Sequence, residues 1–127
     1  LALEGAKRNI RVNCLAPSAA TGMTDGILPP DALARLTPEQ VSPALIPLVC
    51  DDAPSRTILL AGAGSFEAAH ITMTRGIHIA RQGGVAEELH RRLTELQNRT
   101  GEWAPESGWE QYQHELSKGQ FAVEGAA

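Results

Sequence analysis

Lysine is nearly missing from this chain. Lys7 and Lys118 are the only two among 11 basic residues, set against 15 acidic ones and a net charge of -4. A phosphate-binding surface needs a clustered basic face, so no nucleic-acid partner is expected. Aromatic residues make up only 4%. The core must then be built from Leu, Ile, Val and Ala, as in the inner layer of an α/β protein. No apolar stretch approaches the roughly 18 residues that cross a membrane. The first residues carry Glu4, Lys7 and Arg8 and lack the apolar core of a signal peptide. No membrane partner is expected. Cysteine is limited to Cys14 and Cys50, each inside an apolar run. Two lone thiols of this kind read as buried, reduced residues of a cytoplasmic protein. His70, His78, His90 and His114 have no companions at metal-ligand spacing, so they read as solvated and no metal is expected.

The chain opens in Leu1-Ala2-Leu3-Glu4, already helical in character, with no capping Ser, Thr, Asp or Asn before it. We therefore expect the C-terminal piece of a longer protein. Ile10 to Ala16 is short, mostly apolar and β-branched, and reads as a buried strand ending at Pro17. Pro17 to Pro30 reads as a loop of small residues, and Asp31 to Leu36 as a short helical turn. Thr37-Pro38-Glu39-Gln40 predicts a helix start, with Thr37 as cap and Gln40 completing a capping box. Val41, Ala44, Leu45, Leu48 and Val49 then share one helical face. Pro43 and Pro47 disturb it, and Pro47 predicts a kink.

Thr57 to Ala61 predicts a second buried strand, parallel to the first and joined to it through the helix near Pro38. From His70 to Ala80, Ile71, Met73, Ile77 and Ile79 alternate with other residues, which predicts a half-exposed strand pair or a bent strand, with Gly76 as its bulge or turn. Val85 to Asn98 predicts an exposed helix with Glu87–Arg91 and Glu88–Arg92 pairs, closed by Gly101. Residues 102–127 hold both Trp residues and the only Tyr, with a frayed end.

Asn9-Ile10-Arg11-Val12-Asn13-Cys14-Leu15-Ala16-Pro17 resembles the short-chain dehydrogenase/reductase family. There an I-R-V-N-x-I-x-P-G strand leads into the cofactor and substrate loop. In register, Thr37 to Val41 and Cys50 to Ala53 resemble that family's next helix, P-E-E-V-A followed by L-x-S-D-D-A. Thr57 to Gly64 resembles its last sheet strand, which usually ends D-G-G and here ends Ala61-Gly62-Ala63-Gly64. Ala16-Pro17-Ser18-Ala19-Ala20, Met23-Thr24, Pro43 and the extra segment after Gly64 are most similar to one subgroup. It is the hydroxyacyl-CoA dehydrogenase part of peroxisomal multifunctional enzymes and their bacterial relatives.

The resemblance implies an α/β fold. Residues 1–64 would be the C-terminal portion of a Rossmann-type doubly wound parallel sheet, and 65–127 a strand and helix extension packed on it. It also implies NAD or NADP in the intact parent. The backbone of Pro17, Ser18, Ala19 and Ala20 would approach the nicotinamide, because small side chains let N–H and C=O groups come close. Thr21 or Thr24 would add a hydroxyl; the family places its Thr five residues after the Pro, where this chain has Gly22. A substrate lid would run from about Thr21 to Leu36, with Met23, Ile27 and Leu28 as its apolar contacts. The implied partners are a small-molecule substrate of acyl-CoA type, further copies of the chain in a homo-oligomer, and the N-terminal half.

No catalytic residue is expected in this chain. The family pairs Tyr-x-x-x-Lys so that the lysine lowers the tyrosine pKa for proton transfer. Here the only Tyr is Tyr112, and four residues on stands Leu116. Gly62-x-Gly64 is not a dinucleotide turn, because the third glycine position is Glu67. The expected function is therefore part of an oxidoreductase moving hydride between nicotinamide and a carbonyl or secondary alcohol. The alternative is a non-catalytic interaction or oligomerisation module derived from the same fold.

Overall fold

The structure is a computed structural model and describes residues 1–80 and 83–124, with side chains described through Gly119. The frayed end expected at the C-terminus lies in part outside the described residues. The chain divides into two compact units, 1–70 and 71–127.

The first unit opens with helix α1 (Ala2–Ala6) and carries a three-stranded sheet. Strand β1 (Cys14–Ser18) runs parallel to β2 (Ile58–Gly62), with Cys14 opposite Ile58 and Ser18 opposite Gly62. Strand β3 (Ser65–Ala69) returns antiparallel to β2, giving the order β1-β2-β3. The two predicted strands are thus parallel neighbours, and the sheet with its helices is a partial Rossmann-like α/β fold. β3 draws the first residues of the expected extension into the sheet.

The first strand starts later than its apolar run suggests. Residues 10–13 are extended but bind a turn instead of β2. Val12 N–H donates to Ser55 Oγ at 3.1 Å, and Arg56 N–H donates to Val12 O at 2.8 Å. Pro17 fits inside β1 because β1 is an edge strand among the described residues, where a missing N–H is tolerated. Edge position also corrects the burial expected of Cys14, which is exposed; Cys50 is half-buried, and both are free thiols.

Between β1 and β2, helix α2 (Pro30–Arg35) occupies the predicted turn. The predicted helix from Pro38 is broken by its prolines. It becomes two 3-10 turns (Pro38–Gln40 and Ser42–Leu45) and one α-helical turn, α3 (Ile46–Val49). Pro38, Pro43 and Pro47 each stand in the first two positions of a piece, where an absent N–H costs nothing. Thr37 makes no side-chain cap. Its carbonyl instead accepts Gln40 N–H at 3.1 Å, closing a 3-10 turn in place of the capping box. The apolar stripe also narrows, since 3-10 turns repeat every 3.0 residues. Val41, Ala44 and Leu48 are buried, whereas Leu45 and Val49 are exposed. Val41 and Ala44 meet Ala61 of β2 in the core, with Leu15, Ala19 and Leu59 packed against them.

In the second unit the predicted strand pair over 70–80 does not form. One bridge remains, in which Met73 and Trp103 exchange N–H···O bonds of 2.8 and 3.0 Å. The rest of that segment lies along other groups, such as Leu96 O, which accepts the Thr74 hydroxyl at 2.8 Å. The predicted exposed helix is split into α4 (Val85–Arg91) and α5 (Leu93–Leu96). Arg91 pairs with Glu88 rather than Glu87, and Arg92 with Glu95 at 2.7 Å. The expected Glu88–Arg92 pair is longer, at 3.9 Å. Gly101 does not close the helix; α5 already ends at Gln97, and Gly101 sits at φ 70° in a later turn. Helix α6 (Gly108–Glu124) was not legible in the sequence. Its His114 is half-buried rather than fully solvated: the ring stands edge-on to Trp103 at 5.6 Å, and Nε2 lies 3.1 Å from Arg75 O. Among the described residues no helix is long and apolar enough to cross a membrane.

Candidate functional site

In open α/β sheets, ligands sit outside the carboxyl ends of the strands. At that end of β1 lies the stretch singled out in the sequence. Pro17 and Ser18 are the last residues of the strand, and Ala19 and Ala20 follow it. Ala19 is half-buried against the Val41–Ala44–Ala61 core. Ala20 N–H donates to Leu36 O at 2.6 Å, which joins the two ends of the segment 21–35. The expected lid is therefore a closed loop with its stems tied.

Thr21 and Thr24 build one turn together. Thr24 Oγ1 accepts Thr21 N–H at 2.9 Å and donates to Thr21 O at 2.8 Å. Its hydrogen is thereby engaged inside the turn. Thr21 Oγ1 accepts Met23 N–H at 3.3 Å, and the residue is exposed. Of the two hydroxyls considered from the sequence, that of Thr24 donates within the turn.

Met23 and Ile27 are 86% and 74% exposed, and Leu28 is 36% exposed. Three apolar side chains thus face outward on one closed loop. Helix α2 leads from this loop toward Leu36. Ala32, Arg35 and Leu36 share a shallow cavity with Ala63, which sits in the β2–β3 turn.

Sequence reasoning missed Gly62 as part of this end. It lies opposite Ser18, and a Cβ built on it would fall 2.8 Å from Ser18 Cβ and 3.0 Å from Ser18 O. The signal was the glycine itself, read as the end of a strand and as part of the subgroup resemblance, not as a neighbour of Ser18.

The Cys50 thiol bonds to Asp52; that hydrogen bond pushes the thiol up and holds the Asp52 carboxyl down. A thiol held protonated is a poor nucleophile. Tyr112 is half-exposed on α6 and meets Trp109 edge-on at 5.8 Å. Among the described residues no group of three or more His, Cys, Asp or Glu could hold a metal ion.

No family model matches the chain. It is 48% identical over 68 residues to a short-chain type dehydrogenase/reductase of Mycobacterium tuberculosis, covering 53% of this chain and 24% of that protein. It is 43% identical over 67 residues to the peroxisomal hydratase-dehydrogenase-epimerase of Saccharomyces cerevisiae, covering 52% of this chain and 7% of that protein. Over 56 residues it is 45% identical to the protein of the same name from Neurospora crassa, covering 44% of this chain and 6% of that protein. The chain thus spans a quarter or less of the length of these relatives. Among solved structures it resembles full-length peroxisomal multifunctional enzyme type 2 from Drosophila melanogaster, at 20% identity and a TM-score of 0.67. That likeness covers 94% of this chain and 22% of the other, and it concerns the fold. The chain is thus similar, over part of their length, to proteins named as short-chain dehydrogenases/reductases and as peroxisomal hydratase-dehydrogenase-epimerases.

Proposed function

We propose that this chain forms the nicotinamide-side loop and the substrate lid of an NAD(P)-dependent oxidoreductase. One observation carries the reading: the Ser18-Ala19-Ala20 backbone leaves the carboxyl end of a parallel strand, fixed on both sides and bare of large side chains. Relatives named as dehydrogenases support it. The fit to a flat carboxamide rests on two features. Small side chains at 18–20 admit close approach, and the exposed Thr21 hydroxyl supplies a donor. The Ala20 and Thr21 amides are engaged within the loop and are not offered to a ligand.

A bound nicotinamide would supply the hydride acceptor or donor. The chain's own residues orient and enclose. Pro17 to Ala20 would hold the carboxamide, and Thr21 would donate to it or to the pyrophosphate. Met23, Ile27 and Leu28 would cover an apolar substrate and exclude water. A hydroxyacyl-CoA-type substrate suits those three exposed apolar side chains. The proton-transferring tyrosine and lysine would come from elsewhere in the parent, since Tyr112 is followed by Leu116 at the spacing that matters.

Exposed Leu3, Ile10, Ile46 and Val49 support burial against the rest of the parent or against a second copy in a homo-oligomer. The two free thiols support a reducing compartment such as the cytoplasm, although several relatives are named peroxisomal. The test is titration of the parent protein with NADH and NADPH, followed by turnover with a 3-hydroxyacyl-CoA. Saturable binding weakened by Thr21→Val supports the reading. A parent that binds neither nucleotide overturns it and favours a non-catalytic module.

A further inference from the structure

We infer that Gly62 is the positioning residue for the cofactor loop. The inference rests on the function proposed above and extends it to a residue on a different strand. Three observations meet at Ser18. It is the last residue of β1, and its register partner across the parallel pair is Gly62. The two backbones converge there so far that a Cβ on residue 62 would lie 2.8 Å from Ser18 Cβ and 3.0 Å from Ser18 O. Gly62 is not among the positive-φ residues, so its conformation is open to any L-residue. The position needs glycine for space alone.

The groups in the way belong to the Ser18 backbone or are bonded directly to it, so they cannot swing aside as a long side chain would. They can yield only if the backbone at Ser18 moves. The loop beyond has no slack to absorb that shift. Ala19 is packed on Val41, Ala44 and Ala61, and Ala20 N–H is bound to Leu36 O. Bare backbone at 62 therefore sets where the Ser18–Ala20 peptides stand relative to the sheet.

The test uses the full parent protein as wild type, Gly62→Ala, Ser18→Gly and the double variant. Each is titrated with NADH and NADPH by nucleotide fluorescence, and its thermal unfolding is recorded. Gly62→Ala is expected to weaken nucleotide binding roughly tenfold. Ser18→Gly removes the nearer of the two obstructing atoms, so the double variant is expected to recover part of that loss. Recovery is the signature of a local steric cause and does not follow from general destabilisation. Should Gly62→Ala fail to fold, the double variant is read in its place: one that folds and binds nucleotide supports the inference, and one that also fails to fold while Ser18→Gly folds overturns it, because removing the nearest obstructing atom then relieves nothing. Gly62→Ala that binds like wild type at a temperature where both are folded also overturns it, and leaves the proposed function standing. A wild type that binds neither nucleotide overturns both.

Discussion

Asn13 Oδ1 accepts Thr57 N–H at 3.0 Å, and this bond locks the start of β1 to the start of β2. The amide's other end donates to Leu48 O at 3.0 Å and Pro54 O at 2.8 Å. One side chain thus laces together the strand, the end of α3 and the following turn. Asn13→Ala is expected to cost about 2 kcal/mol, because three backbone groups lose a partner and two of the bonds are part-buried. Asn13→Asp keeps the acceptor for Thr57 but turns a carboxylate toward two carbonyl oxygens. It should destabilise at least as much at neutral pH. Urea unfolding followed by far-UV circular dichroism measures both.

Ala63 stands at φ 50° and Gly64 at φ 75° in the two-residue turn between β2 and β3. Positive φ at both central positions is the pattern of a type I′ hairpin turn, where Asn-Gly is favoured. Alanine is strained in this region. Ala63→Asn is expected to raise stability by about 0.5 kcal/mol, and Ala63→Val to lower it by more. Thermal unfolding of the two variants beside wild type decides.

The strand pair was legible because Ile10 to Ala16 and Thr57 to Ala61 are short apolar runs of the kind parallel sheets bury. Their order and direction followed from the intervening proline-started segment. The ladder's true start at Cys14 was not legible, because it depends on Val12 and Ser55 meeting from 43 positions apart in the sequence. The alternation over 70–80 misled because period-two patterning says nothing of a partner strand; only Met73 finds one, in Trp103. Helix α6 escaped notice since its apolar residues form no clear stripe. In the candidate site, the loop and both threonines could be named from the sequence, but the bonds by which Thr24 closes the turn on Thr21 could not, because they depend on side-chain rotamers.

Arg99 holds Glu102 with Nε at 2.7 Å and its terminal nitrogen at 2.8 Å, and the Thr72 hydroxyl adds a bond of 3.2 Å. The Arg99 hydrogen bond keeps the Glu102 carboxyl below the ordinary glutamate range. A depressed folded value means stability that is fully present above the unfolded value of about 4.3 and lost as pH falls through the folded one. Glu102→Gln should therefore be less stable than wild type at pH 7. The two should converge as pH is lowered from about 4.3. Tryptophan fluorescence during acid titration reads this, since Trp103 is the next residue.

Thr21→Val and Thr24→Val are expected to part ways in the intact parent. The first should weaken nicotinamide binding severalfold with a small change in unfolding temperature, since it loses the free hydroxyl donor and one long, exposed bond from Met23 N–H. The second removes two bonds of the turn and should lower both affinity and local protection. Hydrogen exchange at residues 21–24 beside nucleotide titration separates them.

Residues 1–127 produced alone should show no turnover of NADH or NADPH with a 3-hydroxyacyl-CoA or its keto form. Steady product formation by material of confirmed intact mass would contradict the assignment of proton transfer to residues outside this chain.

The hairpin between β2 and β3 also limits where this protein can change length. Through that turn Phe66 stands opposite Ala61, and with Leu59 it lines the apolar hollow bounded by Pro43, Ala44 and Pro47. A residue added inside the turn leaves that pairing in place, because hairpin loops of three to five residues are tolerated. A residue added between Ser65 and Phe66, with the pairing otherwise kept, sets Phe66 opposite Leu60 and sends it to the other face. The newcomer then meets those prolines. Length is thus free at the tip of the hairpin and fixed one residue beyond it.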